Sequence, residues 1–304
     1  MTKKTASNLA LVLAAVIWGF AFVAQVKGMD HIGPLTMIGV RFAISIIALL
    51  PVMLILERKK LDKNEKVRTL KASLVVGLVL FFASAFQQYG IKITSSAGVS
   101  GFITGLYTIF VPLSYFLFFR KKTGMQVWIG AVLALVGLFM LCYDAESGLS
   151  FGLGEFLLLI SSFLWTAHVM LIDHFVKTVP PIRLSWGQFA VCAVLGIIGM
   201  FTFEHGQLNV GSLLDAKWSL LYLGVMSSGG GYTLQVVGQK NADPAYAAII
   251  LSAESAFSAI GGAIFGTDSI APIGYVGCVL MFGGIVCSQI TRKNKNELLS
   301  GSDE

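Results

Sequence analysis

Charge is the first thing this chain is short of. Lys, Arg, Asp and Glu make up 12% of it, where a soluble domain carries about 25%, so a water-soluble globule is excluded. Cysteine is the second shortage. Cys142, Cys192, Cys278 and Cys287 all lie in or at the end of apolar runs, without CxxC spacing. That excludes a disulfide scaffold and a thiol redox motif, and leaves them as small hydrophobes. Histidine is scarce too: His31, His168, His174 and His205 are scattered, so no metal site is legible. Walker A, GxSxG and HExxH sequences are missing, which disfavours an ATP-driven pump or a soluble-type hydrolase and implies no cofactor.

What is present is long apolar sequence. Apolar residues reach 56% and the mean hydropathy is +0.79. Ten runs, at 9–26, 34–56, 72–91, 96–118, 125–142, 153–173, 184–203, 218–236, 245–266 and 272–290, are each near the ~20 residues that cross a hydrocarbon core. They predict an all-α polytopic membrane protein with ten transmembrane helices. The first run follows Lys3-Lys4 and superficially resembles a signal peptide. It is long, however, and lacks a small-x-small cleavage site, so it is read as a retained span.

The chain also resembles itself at an offset of 147 residues. Trp18 recurs as Trp165, Pro34 as Pro181, Phe42-Ala43 as Phe189-Ala190 and Glu57 as Glu204. After a slip of one residue, Gln87-x-x-Gly90-x-Lys92 recurs as Gln235-x-x-Gly238-x-Lys240, and then Gly130 and Gly137 recur as Gly277 and Gly284. A shared offset reads as two copies of one unit. The expected division is 1–146 for the first repeat with spans one to five, 147–291 for the second with spans six to ten, and a polar cytoplasmic tail over 292–304. Five spans per copy is odd, so the second copy enters the membrane from the opposite side. Two five-helix inverted-topology repeats are an architecture of alternating-access carriers.

Positive charge sets the expected orientation. With the N-terminus inside, 18 cations fall in inner segments, seven of them in the 57–71 loop, against Lys27, Lys92 and Lys217 outside. The positive-inside rule then puts both termini in the cytoplasm, and the expected location is the bacterial cytoplasmic membrane. The pI of 9.1 reflects this topology and anionic membrane lipids rather than nucleic acid. The 57–71 loop, without aromatics among its cations, reads as a solvated loop.

The remaining signal is polar groups at membrane depth. Of 16 acidic residues, only Glu254 lies deep in a span, about ten residues or roughly 15 Å into the ninth. An acid there is costly and must face protein or water. It is a substrate amine contact or proton carrier, or else a neutral carboxyl bridging helices. Arg41, the one cation inside a span, either binds a carboxylate or snorkels to the outer interface and braces helix ends; its repeat equivalent is Gln188. Trp18 and Trp165 lie near mid-span, where they line a cavity or pack helices. Gln87, Gln88, Tyr89, Tyr107, His168, Tyr232 and Gln235 complete the polar set, each either meeting substrate or bridging helices. The stripe Gly98, Gly101, Gly105 and Thr108, and the pairs Gly130/Gly137 and Gly277/Gly284, are expected packing faces. Gly229-Gly230-Gly231 is expected to hinge or unwind the eighth span.

Two stretches carry a family resemblance. Thr94-Ser-Ser-Ala-Gly-Val-Ser-Gly-Phe-Ile-Thr-Gly-Leu-Tyr-Thr-Ile-Phe-Val-Pro112 resembles the fourth helix of EamA-type permeases of the drug/metabolite transporter superfamily. Tyr232-Thr-Leu-Gln-Val-Val-Gly-Gln-Lys-Asn-Ala-Asp-Pro-Ala-Tyr-Ala-Ala-Ile-Ile-Leu-Ser-Ala-Glu-Ser255 is similar to their eighth and ninth helices. Trp18-Gly19 and Gly277…Gly284 match as well. The resemblance implies ten helices with both ends inside, and secondary transport, commonly export, of small metabolites, amino acids or drugs. It carries the family's ninth-helix Glu onto Glu254 and its mid-helix Trp onto Trp18. Where the family continues into Gly-Glu after that helix, this chain has Gly266-Thr267, and the site after span four reads Phe119-Arg120. The implied partners are a small-molecule substrate and membrane lipids, with the proton a candidate coupling ion and the oligomeric state open. A lipid-carrier flippase, and behind it a membrane-embedded enzyme, are the alternatives.

Overall fold

The computed structural model describes residues 3–289 except 59, 121–123, 145–147, 150, 208, 241, 243–246, 248–249, 252 and 269–270. Eight helices make up the first two-thirds of the chain: α1 (Lys3–Met29), α2 (Pro34–Leu56), α3 (Lys63–Thr94), α4 (Ala97–Gly105), α5 (Tyr107–Phe119), α6 (Met125–Cys142), α7 (Leu153–Phe175) and α8 (Pro181–Phe203). Then come the short α9 (Val210–Asp215) and α10 (Lys217–Leu221), a π-helical segment Tyr222–Tyr232, α11 (Thr233–Gln239), α12 (Glu254–Phe265) and α13 (Pro272–Gln289). Two two-residue strands, Tyr143–Asp144 and Gly148–Leu149, pair after α6. The expected tail over 292–304 and the side chain of Cys142 lie outside the described residues.

Among the described residues, six stretches are long and apolar enough to cross a membrane: 5–29, 34–56, 63–94, 97–118, 153–175 and 181–203. The runs expected at 218–236 and 245–266 are not single uninterrupted α-helices. The first passes through the π segment, and the second opens a fresh helical stretch at Glu254. Glu254 is thus the first residue of α12, with helical residues at 247, 250 and 251 before it in the same run.

Local sequence explains the ends. Pro34 and Pro181 start α2 and α8, where their missing N–H has no helical partner to lose. Asp62 and Glu65 form a reciprocal capping box on α3, and Ser96 caps α4 by accepting from Val99 N. Gly266 ends α12 at φ 69°, a left-handed conformation glycine adopts without strain. The carboxylate missing at Thr267 stands one residue on: Asp268 Oδ2 accepts from Gly98 N at 2.7 Å and caps α4.

The helices pair by close approach. α2 lies along α8, α3 along α7, α1 along α12 and the π segment, and α6 along α13. A β-carbon at Gly196 would come within 2.5 Å of Gly39 N. Between α6 and α13 the contacts are reciprocal: Gly137 would meet Gly277 O at 2.5 Å and Gly284 would meet Gly130 O at 2.6 Å. Without a hydrophobic drive between helices in lipid, such backbone contact is what holds them.

The α2–α8 pair is also latched at both ends. Glu204, following α8, accepts from Leu35 N (2.9 Å), Thr36 N (2.8 Å) and Thr36 Oγ1 (2.7 Å) at the start of α2. Glu57, following α2, accepts from Ile182 N and Arg183 N, both at 3.0 Å, at the start of α8. Each carboxylate satisfies amide donors that a helix start leaves open. Glu57 and Glu204 are the residues the 147-residue offset pairs.

Candidate functional site

The polar side chains that helices at membrane depth must hide converge on one central cavity. It is lined by residues of α1, α2, α3, α4, α5, α7, the π segment, α11 and α12, and its free volume is about 30 Å³. The slots are narrow: about two waters would fit.

Tyr232 is the hub of its aromatic wall. Its ring centre lies 4.8 Å from Trp18 and 5.8 Å from Trp165, stacked on the latter at 14°. Phe189 and Phe42 stand behind at 5.9 and 6.1 Å. Trp18 reaches this position because Gly231 has no side chain; a β-carbon there would run into the indole ring. Its Nε1–H donates to Ser227 O at 3.0 Å, within the segment where the helix widens to π geometry. π-turns of this kind cluster at functional sites.

The polar wall begins on α1. Gln25 is buried, and its Oε1 accepts from Arg41 Nη1 at 3.3 Å and from Gln88 Nε2. Gln87 donates to Thr104 Oγ1 at 3.3 Å. Arg41 is 2% exposed, so it does not snorkel to the outer interface. Glu254 is 4% exposed, and the Tyr107 hydroxyl acts on its carboxyl electrostatically without completing a well-formed hydrogen bond. Arg41 Nε and Nη2, Tyr107 Oη, Trp165 Nε1 and Gln235 Oε1 are buried without hydrogen-bond partners. Each such group costs about 1–3 kcal/mol if left unmet; these five belong to cavity residues, while others, such as Ser84 Oγ and Ser185 Oγ, lie outside the lining.

Of the residues singled out in the sequence, Trp18, Arg41, Gln87, Tyr107, Trp165, Tyr232, Gln235 and Glu254 line this cavity. Two stand behind it. Gln88 holds Gln25, and His168 Nε2 lies 2.9 Å from Gln188 Oε1 with its ring edge against Trp165. Tyr89 is 38% exposed and faces away. Sequence reasoning missed Gln25, Thr104 and Ser227. Gln25 was within reach, since it lies seven residues beyond Trp18 and hence on the same helix face.

A further pairing was also missed. Tyr107 and Glu254 are 147 residues apart, and each opens a helix after a residue of nearly identical backbone: Leu106 at φ −59°, ψ −19° and Ala253 at φ −59°, ψ −17°. With Trp18/Trp165 and Gln87/Gln235, three pairs related by the internal offset line one cavity.

The model of the EamA-like transporter family matches twice, over residues 5–143 and 152–289. The chain belongs to the EamA-like transporter family. Among relatives of this EamA-like transporter, an uncharacterized transporter of Archaeoglobus fulgidus is 26% identical over 285 residues, 93% of this chain and 86% of the relative. A protein named a probable amino-acid metabolite efflux pump, from Escherichia coli, is 25% identical over 245 residues, 76% of this chain and 77% of its own length. A solved crystal structure covers 94% of this EamA-like transporter and 97% of itself with a TM-score of 0.72. At 18% identity, that likeness speaks for the fold alone. The EamA-like transporter is thus an integral, multi-pass membrane protein.

Proposed function

We propose that this EamA-like protein is a secondary transporter that exports small metabolites or amino acids by alternating access through the central cavity. Its two halves, 1–146 and 147–291, are five-helix repeats of inverted topology, with both termini in the cytoplasm of a bacterial cell. The observation that carries the reading is the cavity lined by three offset-related pairs. A site built from equivalent positions of two inverted units lies on the axis about which such units rock. Further support comes from the reciprocal contacts of α2 with α8 and of α6 with α13, where equivalent residues exchange roles. The narrow slots fit an occluded form that must open to load.

Glu254 is the candidate site for a transported proton or a substrate amine. Substrate flux in proteoliposomes, with and without a pH gradient, is the test. Purified protein that moved no solute and instead cleaved bonds or scrambled lipids would end the carrier reading.

One observation favours the flippase alternative. An apolar groove between the cytoplasmic ends of α2, α3 and α8, lined by Met53, Leu54, Leu70, Leu74, Lys66 and Arg183, has a volume of about 420 Å³. The convergent polar groups, however, lie in the central cavity, so the groove is read as contact with resident lipid. Lipid scrambling in the same vesicles distinguishes the two.

A further inference from the structure

We propose that Arg41 is the carboxylate subsite of the central cavity, so that the substrate carries a carboxylate. The inference rests on the carrier reading and names the substrate chemistry of that same cavity.

The guanidinium lies over the Phe42 ring, 4.9 Å from its centroid, and donates through one nitrogen. Nη1 donates to Gln25 Oε1, and Gln25 is steadied by Gln88. Nε and Nη2 have no acceptor. These two N–H groups point the same way along one edge of the guanidinium plane, and that edge is the two-pronged face that matches the two oxygens of a carboxylate. Gln25 therefore fixes the plane from the opposite edge and leaves the fork empty. Among the described residues no carboxylate lies within ion-pair distance of Arg41. A charge this deep is tolerated only beside water or a partner, and the cavity that Arg41 lines is where that partner can arrive.

The repeat adds an independent argument. The offset-related partner of Arg41 is Gln188, which is engaged with His168, and the partner of Glu254 is Tyr107. Arg41 and Glu254 are thus each present in one half only. Gln25 and Thr104, which also line the cavity, likewise have apolar counterparts, Ile172 and Leu251, so the polar wall around Arg41 belongs mainly to the first half. A guanidinium fork in a cavity with an aromatic wall fits a molecule with a carboxylate and an apolar body. Charge complementarity of this kind discriminates between ligands more than it adds affinity.

The experiment uses full-length protein in proteoliposomes, with counterflow of L-phenylalanine, L-phenylalaninamide and phenethylamine, and of L-leucine with its amide and amine. Wild type is expected to move the acids at least about tenfold faster than the amides or amines, since a site built around a polar partner rejects analogues lacking it. R41Q copies the natural residue at the equivalent position and is expected to bring that ratio close to one while still moving the amides. R41K keeps the charge but not the fork, and should retain a reduced preference; it also serves if R41Q does not insert. Equal transport of acids and amides by wild type, or a preference that survives in R41Q, overturns the assignment while leaving the carrier reading intact. No flux of any solute by wild type would sink the carrier reading and the assignment with it.

Discussion

Glu254 and Tyr107 stand at equivalent positions, but only the carboxyl can exchange a proton near neutral pH as the cavity turns from one side to the other. Glu254→Gln keeps the shape and most of the hydrogen bonding while removing that exchange. If Glu254 carries the coupling proton, the variant is expected to insert normally and still exchange substrate across the membrane. It should lose accumulation driven by a pH gradient, from up to about tenfold per pH unit for one proton to none. Accumulation that tracks the gradient unchanged would reduce Glu254 to a helix-bridging group. Glu254 and Arg41 were legible in the sequence because charges at membrane depth are rare. Gln25, an ordinary amide seven residues past Trp18, carries no such flag, and its role appears only when α1, α2 and α3 are assembled.

At the scale of the element, the run Gly229-Gly230-Gly231 marked the eighth span as unusual. In the structure it neither unwinds nor ends the helix; it lies in eleven residues of π geometry. The three glycines are not equivalent. A β-carbon at Gly230 would meet only Val225 O at 3.7 Å, whereas at Gly231 it would strike the Trp18 indole. Gly231→Ala is therefore expected to push Trp18 off its bond to Ser227 O, cost about 1–3 kcal/mol by overpacking and depress flux. Gly230→Ala should be neutral, or stabilise by up to about 1 kcal/mol through helix propensity. Thermal unfolding in detergent and tryptophan emission report both. Equal effects from the two substitutions would remove the Trp18 contact as the reason for glycine.

Across the whole molecule, the inverted arrangement makes a topological prediction. Single cysteines labelled from outside intact cells should react in 27–33, 144–152 and 204–217, and stay protected in 57–71 and beyond Arg292. External labelling of the 57–71 loop would overturn the inverted assignment. Glu57 and Glu204 cap opposite ends of the antiparallel α2–α8 pair, and the inverted arrangement would put the two carboxylates at opposite faces of the membrane.

By itself the sequence determined the solvent, the helical class, the internal offset and the charged residues at depth, because hydrocarbon forces apolar runs of set length and makes every buried charge conspicuous. The glycine stripe at Gly101 and Gly105 was legible for the same reason, and it does receive Ser255 and Ser258 of α12. Only the tertiary structure decided which polar groups meet. Gln87 and Gln88 are adjacent in sequence, yet one lines the cavity and the other stands behind it, since neighbours on a helix point about 100° apart. The breaks at Leu106 and Ala253 were likewise silent, as both residues favour helix; packing around the cavity, not local propensity, puts Tyr107 and Glu254 at helix starts facing each other.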